Sequence, residues 1–135
     1  MMRIISGSYK GKKILEPKDI STRPLKDLTK ESIFNIMAHS NKFNLNLTES
    51  FILDLFSGVG SFGLECLSRG AKKVVFVENY HGVLPVLKKN LINLKSLSNY
   101  EILEEDINNT KLKMDNDDKL YILKLILSSL KKLIE

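Results

Sequence analysis

"LDLFSGVGSFGLE", Leu53 to Glu65, decides how the rest of the 135-residue chain is read. Phe51 and Ile52 lead into it, Asp54 makes it polar, and Gly58, Gly60 and Gly63 then fall within six positions ahead of a helix-like run. A Gly-x-Gly-x-x-Gly pattern placed between a strand and a helix lets the backbone turn tightly and approach a nucleoside-bearing ligand closely. Glu78 lies twenty residues after Gly58, at the end of the next apolar run. A carboxylate there can accept hydrogen bonds from both hydroxyls of a ribose.

Glycines and Glu78 alone leave a dinucleotide and S-adenosylmethionine equally open. Asp54 separates them. A dinucleotide sets its pyrophosphate against the glycine turn, where a carboxylate at the end of the preceding strand adds like-charge repulsion. S-adenosylmethionine carries an ammonium and a sulfonium, which the same carboxylate attracts, so the methyl donor is the better match. Asp54 acting only as a cap of the turn is compatible with either ligand.

Outward from the loop, strands alternate with helices. The pattern predicts strands at Phe51 to Leu55, Val74 to Glu78 and Tyr100 to Leu103. It predicts helices at Phe62 to Arg69, closed by Gly70, and at Gly82 to Leu94, with Leu84, Leu87, Leu91 and Leu94 on one face. Parallel strands need crossover connections and helices supply them, so the fold class is α/β with a parallel sheet. Before the loop, Ile4-Ile5 and Ile14-Leu15 flank turn formers and read as a β-hairpin stopped by Pro17. "RPLKDLTKESIFNIM" reads as a helix beginning after Pro24, with Leu28, Ile33, Phe34 and Met37 at helical spacing. The asparagine-rich "HSNKFNLNLTES" reads as a loop.

Composition bounds the classes. At 43% hydrophobic the chain can bury one modest core, and its charge is too moderate for disorder. No apolar run approaches the roughly 20 residues of a spanning helix, and the N-terminus has no signal-like stretch, so the expectation is a soluble cytoplasmic protein without a membrane partner. The single cysteine, Cys66, rules out an internal disulfide and a multi-cysteine metal site, and reads as a small buried side chain. Asp115, Asp117 and Asp118 lack calcium-loop spacing and read as a solvated turn, so no metal is expected. His39 and His81 receive no role. The net charge is +5, and Arg3, Lys10, Lys12 and Lys13 form an acid-free basic stretch around Tyr9 that suits a phosphate backbone, or is simply a solvated face.

Together "RIISGSYKGKKI", "RPLKDLTKESIFNIM", "LDLFSGVGSFGLECLSRGA" and "VVFVEN" resemble, in order, the bacterial RsmD family, guanine-N2 methyltransferases of small-subunit ribosomal RNA. The resemblance runs from about Arg3 to Asp106 and implies a Rossmann-like S-adenosylmethionine-dependent methyltransferase fold. It implies that Asp54, Ser57, Gly58, Gly60 and Gly63 form the methionine-side loop, that Glu78 holds the ribose, and that Asn79 and Asp106 neighbour the adenine. Arg23, Pro24, Glu31 and Phe34 are similar to the family's N-terminal helix signature, and the basic hairpin, with Arg23, is similar to its RNA-contacting part. Leu25 and Val59 are mild departures. A larger one is the lack of any Asp/Asn-Pro-Pro-Tyr/Phe motif: the prolines are Pro17, Pro24 and Pro85. The family's group that accepts hydrogen bonds from the target amine is therefore not identified.

Past Asp106 the resemblance ends. "NNTKLKMDNDDK" reads as a polar loop and "LYILKLILSSLKKLIE" as an amphipathic helix, with Leu120, Leu123, Leu127, Leu130 and Ile134 three and four apart. That leaves three strands, an incomplete sheet whose first strand has one open edge. The expected organisation is a hairpin over residues 1–20, a helix and linker over 21–49, and a shortened cofactor-binding domain over 50–135. The resulting expectation is a methyltransferase of ribosomal RNA in the small subunit, weakly active in this short form. The alternatives are a cofactor- and RNA-binding module without turnover, and a nicotinamide-dependent enzyme. Target nucleotide and oligomeric state are left open.

Overall fold

The computed structural model describes residues 2–17, 26–39, 47–95, 97–106 and 119–121. A hairpin opens the chain, with β1 (Met2–Arg3) antiparallel to β2 (Lys13–Ile14). Helix α1 (Asp27–His39) follows, then a single 3-10 turn (Leu47–Glu49). The alternating unit is β3 (Ser50–Leu55), α2 (Ser61–Ser68), β4 (Lys73–Val77), α3 (Leu84–Ile92) and β5 (Tyr100–Leu103), and the last described element is β6 (Lys119–Tyr121). The helices and strands of the alternating unit fall within two residues of their sequence-predicted ends.

The sheet is four-stranded and parallel throughout, in the order β5-β4-β3-β6. Leu53 pairs with Val75, Asp54 with Phe76 and Leu55 with Val77, while Ser50, Phe51 and Ile52 pair with Lys119, Leu120 and Tyr121. Alternation along β3 and β4 sends Ile52, Val74 and Phe76 to one face and Leu53, Leu55 and Val77 to the other. The first face carries the main core. Phe62, Leu64 and Cys66 of α2, Leu84, Leu87 and Leu91 of α3, and Ile33, Phe34 and Met37 of α1 join it, as do Met2, Ile4 and Ile14 of the hairpin. One apolar core thus runs through the hairpin, α1 and the sheet.

Two expectations are corrected. Lys119–Tyr121 is a strand, where the leucine spacing predicts the first turn of a helix, and it lies along the edge of β3 predicted to be open. Pairing with an existing strand outweighs the helical preference of so short a run. Residues 107–118, with the three aspartates, and 122–135 lie outside the described residues. The second correction is Leu28, which is 77% exposed, while the buried stripe of α1 is Lys30, Ile33, Phe34 and Met37. A lysine, not a leucine, occupies the inner face of its first turn.

Helix α2 is the central element, all eight of its residues being buried. Its C-terminus closes as the sequence implies. Gly70 is left-handed (φ 98°), and the N–H groups of Gly70 and Ala71 donate to Leu67 O and Cys66 O at 3.1 and 3.0 Å. Among the described residues no helix is long and apolar enough to cross a membrane.

Candidate functional site

β3 has β4 and β5 on one side and β6 on the other, so the strand order reverses beside it. In an open parallel sheet the ligand crevice lies outside the C-terminal strand ends at such a reversal. The chain leaving β3 there is bent sharply, with positive φ at Phe56 (56°), Gly58 (59°) and Gly60 (87°). Glycine takes this region freely, but Phe56 does so at a cost of about 1–3 kcal/mol that its surroundings must offset. Ser57 is buried and structural: its N–H donates to Val77 O at 3.1 Å and its hydroxyl to Asp54 O at 2.6 Å.

Glu78, one residue past β4, reaches across to this bend. Its Oε1 accepts Gly58 N–H at 2.8 Å, and its Oε2 accepts the N–H groups of Asn79 and Tyr80, both at 3.1 Å. The glycine loop and the candidate ribose carboxylate are therefore in direct contact. A carboxylate offers about four lone-pair positions. Three backbone donors occupy Glu78 here, so one ribose hydroxyl can bond directly, and a second requires one of those N–H groups to share or give way. The donor set fits a nucleoside-bearing cofactor on that condition.

The other predicted residues divide by role. Asp54 is fully buried and its Oδ2 accepts Gly63 N–H at 3.2 Å, joining the end of β3 to the first turn of α2. A Cβ on Gly63 would stand 2.3 Å from the Phe76 ring, and one on Gly60 2.6 Å from Leu87 Cδ1. Both glycines thus admit core side chains. Asn79 and Asp106 are exposed at the same edge of the sheet, following β4 and β5. His39 and His81 are exposed, and Cys66 is fully buried, as its sequence reading predicts.

The basic residues are spread along the hairpin. Arg3 and Lys13 are register partners at its strand end, where the Arg3 N–H also meets Asp27 Oδ1 at 3.2 Å. Lys10 and Lys12 belong to the turn end, and all four are exposed. Arg23 and Pro24 lie outside the described residues. Glu31 is exposed on α1, and Phe34 stacks on Phe62 of α2 with ring centroids 5.2 Å apart.

Three residues in the framework of the site are invisible to sequence reading. Glu65 is fully buried in α2, and its Oε1 accepts Ile5 N–H (2.9 Å) and meets Lys30 Nζ (3.2 Å). Its Oε2 accepts Ser6 N–H (3.0 Å) and Arg69 Nε (2.9 Å). Lys30 is also fully buried. Burial lowers the pKa of its ammonium, and the Glu65 carboxylate opposes that shift. Asn90, buried in α3, bonds the backbones of both Leu15 and Val59. A lysine, a glutamate or an asparagine in a helix reads as a solvated face, and no local pattern marks these three.

Comparison with known proteins follows the same outline. The family model described as "Conserved hypothetical protein 95" matches residues 2–123. Ribosomal RNA small subunit methyltransferase D of Haemophilus influenzae is 42% identical over 98 residues, covering 72% of this chain and 47% of the relative. The protein of that name from Escherichia coli strain K12 is 36% identical over 95 residues, covering 70% and 45%. The chain therefore spans about half the length of these relatives. Among solved structures, the candidate methyltransferase yhhF of Escherichia coli superposes with a TM-score of 0.63 at 33% identity, covering 78% of this chain and 53% of that one. Sheet order, strand direction and the loop after β3 are those of the Rossmann-like methyltransferase fold with fewer strands. Matched by one family model across most of its length, the chain belongs to the family described as conserved hypothetical protein 95, the RsmD-like methyltransferases.

Proposed function

We propose that the chain binds S-adenosylmethionine at the glycine loop and acts on small-subunit ribosomal RNA at the exocyclic amine of a guanine. The observation that carries this reading is the contact between Glu78 and Gly58 N–H at the reversal in strand order. Bound there, the cofactor supplies a methyl group already activated by its sulfonium. The chain's own task is positioning. In this reading Glu78 holds the ribose, the Gly58 backbone lies along the methionine portion, Asn79 and Asp106 border the adenine, and Asp54, Ser57, Gly60 and Gly63 set the shape of the loop. Arg3, Lys10, Lys12, Lys13 and Arg23 contact RNA phosphates, and the assembled small subunit is the partner. The named relatives support the substrate class.

Calorimetric titration tests the cofactor assignment. Saturable binding of S-adenosylmethionine is expected, with no binding of a nicotinamide dinucleotide. Glu78→Ala should weaken it by about 1–3 kcal/mol, since it leaves a ribose hydroxyl unmatched and releases Gly58. Undiminished affinity in that variant overturns the ribose assignment.

A second reading is a cofactor- and RNA-binding module without turnover. Transfer of labelled methyl groups to unmodified small-subunit ribosomal RNA separates the two. Rates near those of a longer relative establish the enzyme, and binding without transfer establishes the module.

A further inference from the structure

The shoulders of the glycine loop are held by the same buried side chains that hold the hairpin. On one side, the Asn90 amide donates to Val59 O at 2.9 Å and to Leu15 O at 3.2 Å, while its Oδ1 accepts Leu15 N–H at 2.8 Å. Two carbonyls and one N–H fix which end of the amide is which. On the other side, Lys30 Nζ donates to Ser61 Oγ at 3.1 Å and to Arg3 O at 2.8 Å. Val59 and Ser61 flank Gly60, and Arg3 and Leu15 belong to opposite arms of the hairpin. Each arm is thus tied to its own shoulder of the loop through one buried polar group.

We propose that Asn90 and Lys30 are positioning residues that make the hairpin and the glycine loop a single cooperative unit. Ligand at the loop then tightens the hairpin, and RNA held by the hairpin raises affinity at the loop by the same factor, as linkage requires. The identity of the two ligands rests on the function proposed above; the coupling itself does not. Its physical basis is that a buried amide or ammonium loses heavily when one partner moves away, because no water replaces that partner. A loop with three left-handed residues has other conformations available, and only those that keep Val59 and Ser61 in place preserve Leu15 and Arg3.

Amide hydrogen exchange on the full chain tests this in two arms. With saturating S-adenosylmethionine, the Ile4 and Gly11 amides, which bond Lys12 O and Ile4 O within the hairpin, should exchange about tenfold more slowly, the worth of roughly one strengthened hydrogen bond. That slowing should weaken in Asn90→Ala, where only the Lys30 tie from Ser61 to Arg3 remains. It should weaken likewise in Asn90→Asp, which keeps an acceptor for Leu15 N–H and removes the donor to Val59 O and Leu15 O, so that one of the two bonds to the hairpin survives. Without ligand, Asn90→Ala should speed exchange at Gly60 together with Ile4 and Gly11, leaving β4 and β5 unchanged. Should Asn90→Ala fail to fold, Asn90→Asp decides. Ligand-dependent slowing undiminished in Asn90→Asp, or loop and hairpin amides responding independently, overturns the proposal. If the native chain binds no S-adenosylmethionine, it is the cofactor assignment that fails, and the ligand-free arm alone judges the coupling.

Discussion

At residue scale, the buried thiol and the buried ammonium give stability opposite dependences on pH. Burial pushes the Cys66 thiol well above its ordinary 9.0, and the Asp54 and Glu65 carboxylates push it the same way. Above pH 9 the unfolded chain releases this proton and the folded chain keeps it, so stability falls as pH rises. Lys30 runs the other way: its folded pKa is lowered by burial, so between that value and 10.5 the unfolded chain holds the extra proton and stability rises with pH. Replacing Cys66 with alanine removes only the first effect. Urea unfolding should show a constant gap between native and Cys66→Ala proteins below pH 9, shrinking above it by at most about 1.4 kcal/mol per pH unit. Parallel curves up to pH 10.5 would contradict it. Gly58 and Glu78 were legible in the sequence because each belongs to a local strand-and-turn pattern. Apart from Arg69, four residues after Glu65, the partners of Lys30, Glu65 and Asn90 stand 27 to 75 residues away, where no pattern reaches.

Between elements, α1, α2 and the hairpin meet at Glu65. Breaking a buried ion pair by removing one partner costs more than the pair contributes, because the other charge stays desolvated. Lys30→Met should therefore destabilise the chain by about 3–5 kcal/mol by chemical unfolding, although methionine fills the space well. A loss below about 1 kcal/mol would mean that Arg69, also bonded to Glu65, suffices as counter-ion. The predicted helices and strands of the alternating unit match the structure because hydrophobic period and punctuation agree there: Gly70 ends α2, and Pro85 stands in the first turn of α3. For β6 they disagree. Three residues are too few to show alternation, and leucines at helical spacing dominate the reading, whereas pairing with β3 is decided across the sheet.

For the whole molecule, the basic residues form a ridge along a hairpin fixed to the core at several points. Gly7 packs so tightly against the end of α2 that a Cβ there would stand 1.9 Å from Ser68 O, and Ser8 N–H and Tyr9 N–H bond Ser68 O and Oγ at 2.8 and 3.0 Å. The turn ahead of Lys10 is thereby docked on the end of α2. If Arg3, Lys10, Lys12 and Lys13 meet phosphates, affinity for a ribosomal RNA fragment should fall with salt by a log–log slope of about −0.7 per contact, and alanine at all four should flatten it by nearly 3 units. A slope unmoved by the replacements assigns the ridge to solvent. The same docking has a consequence in time. Ile5 waits for Glu65, 60 residues later, and Leu15 for Asn90, 75 residues later. At ribosomal rates of about 5–20 residues per second, Asn90 is made roughly 4–15 s after Leu15. Until α3 is made, Met2, Ile4 and Ile14 face a core that lacks Leu84, Leu87 and Leu91, so the hairpin settles late although it is made early, and a nascent chain arrested before α3 should remain open to protease at Lys10 and Lys12.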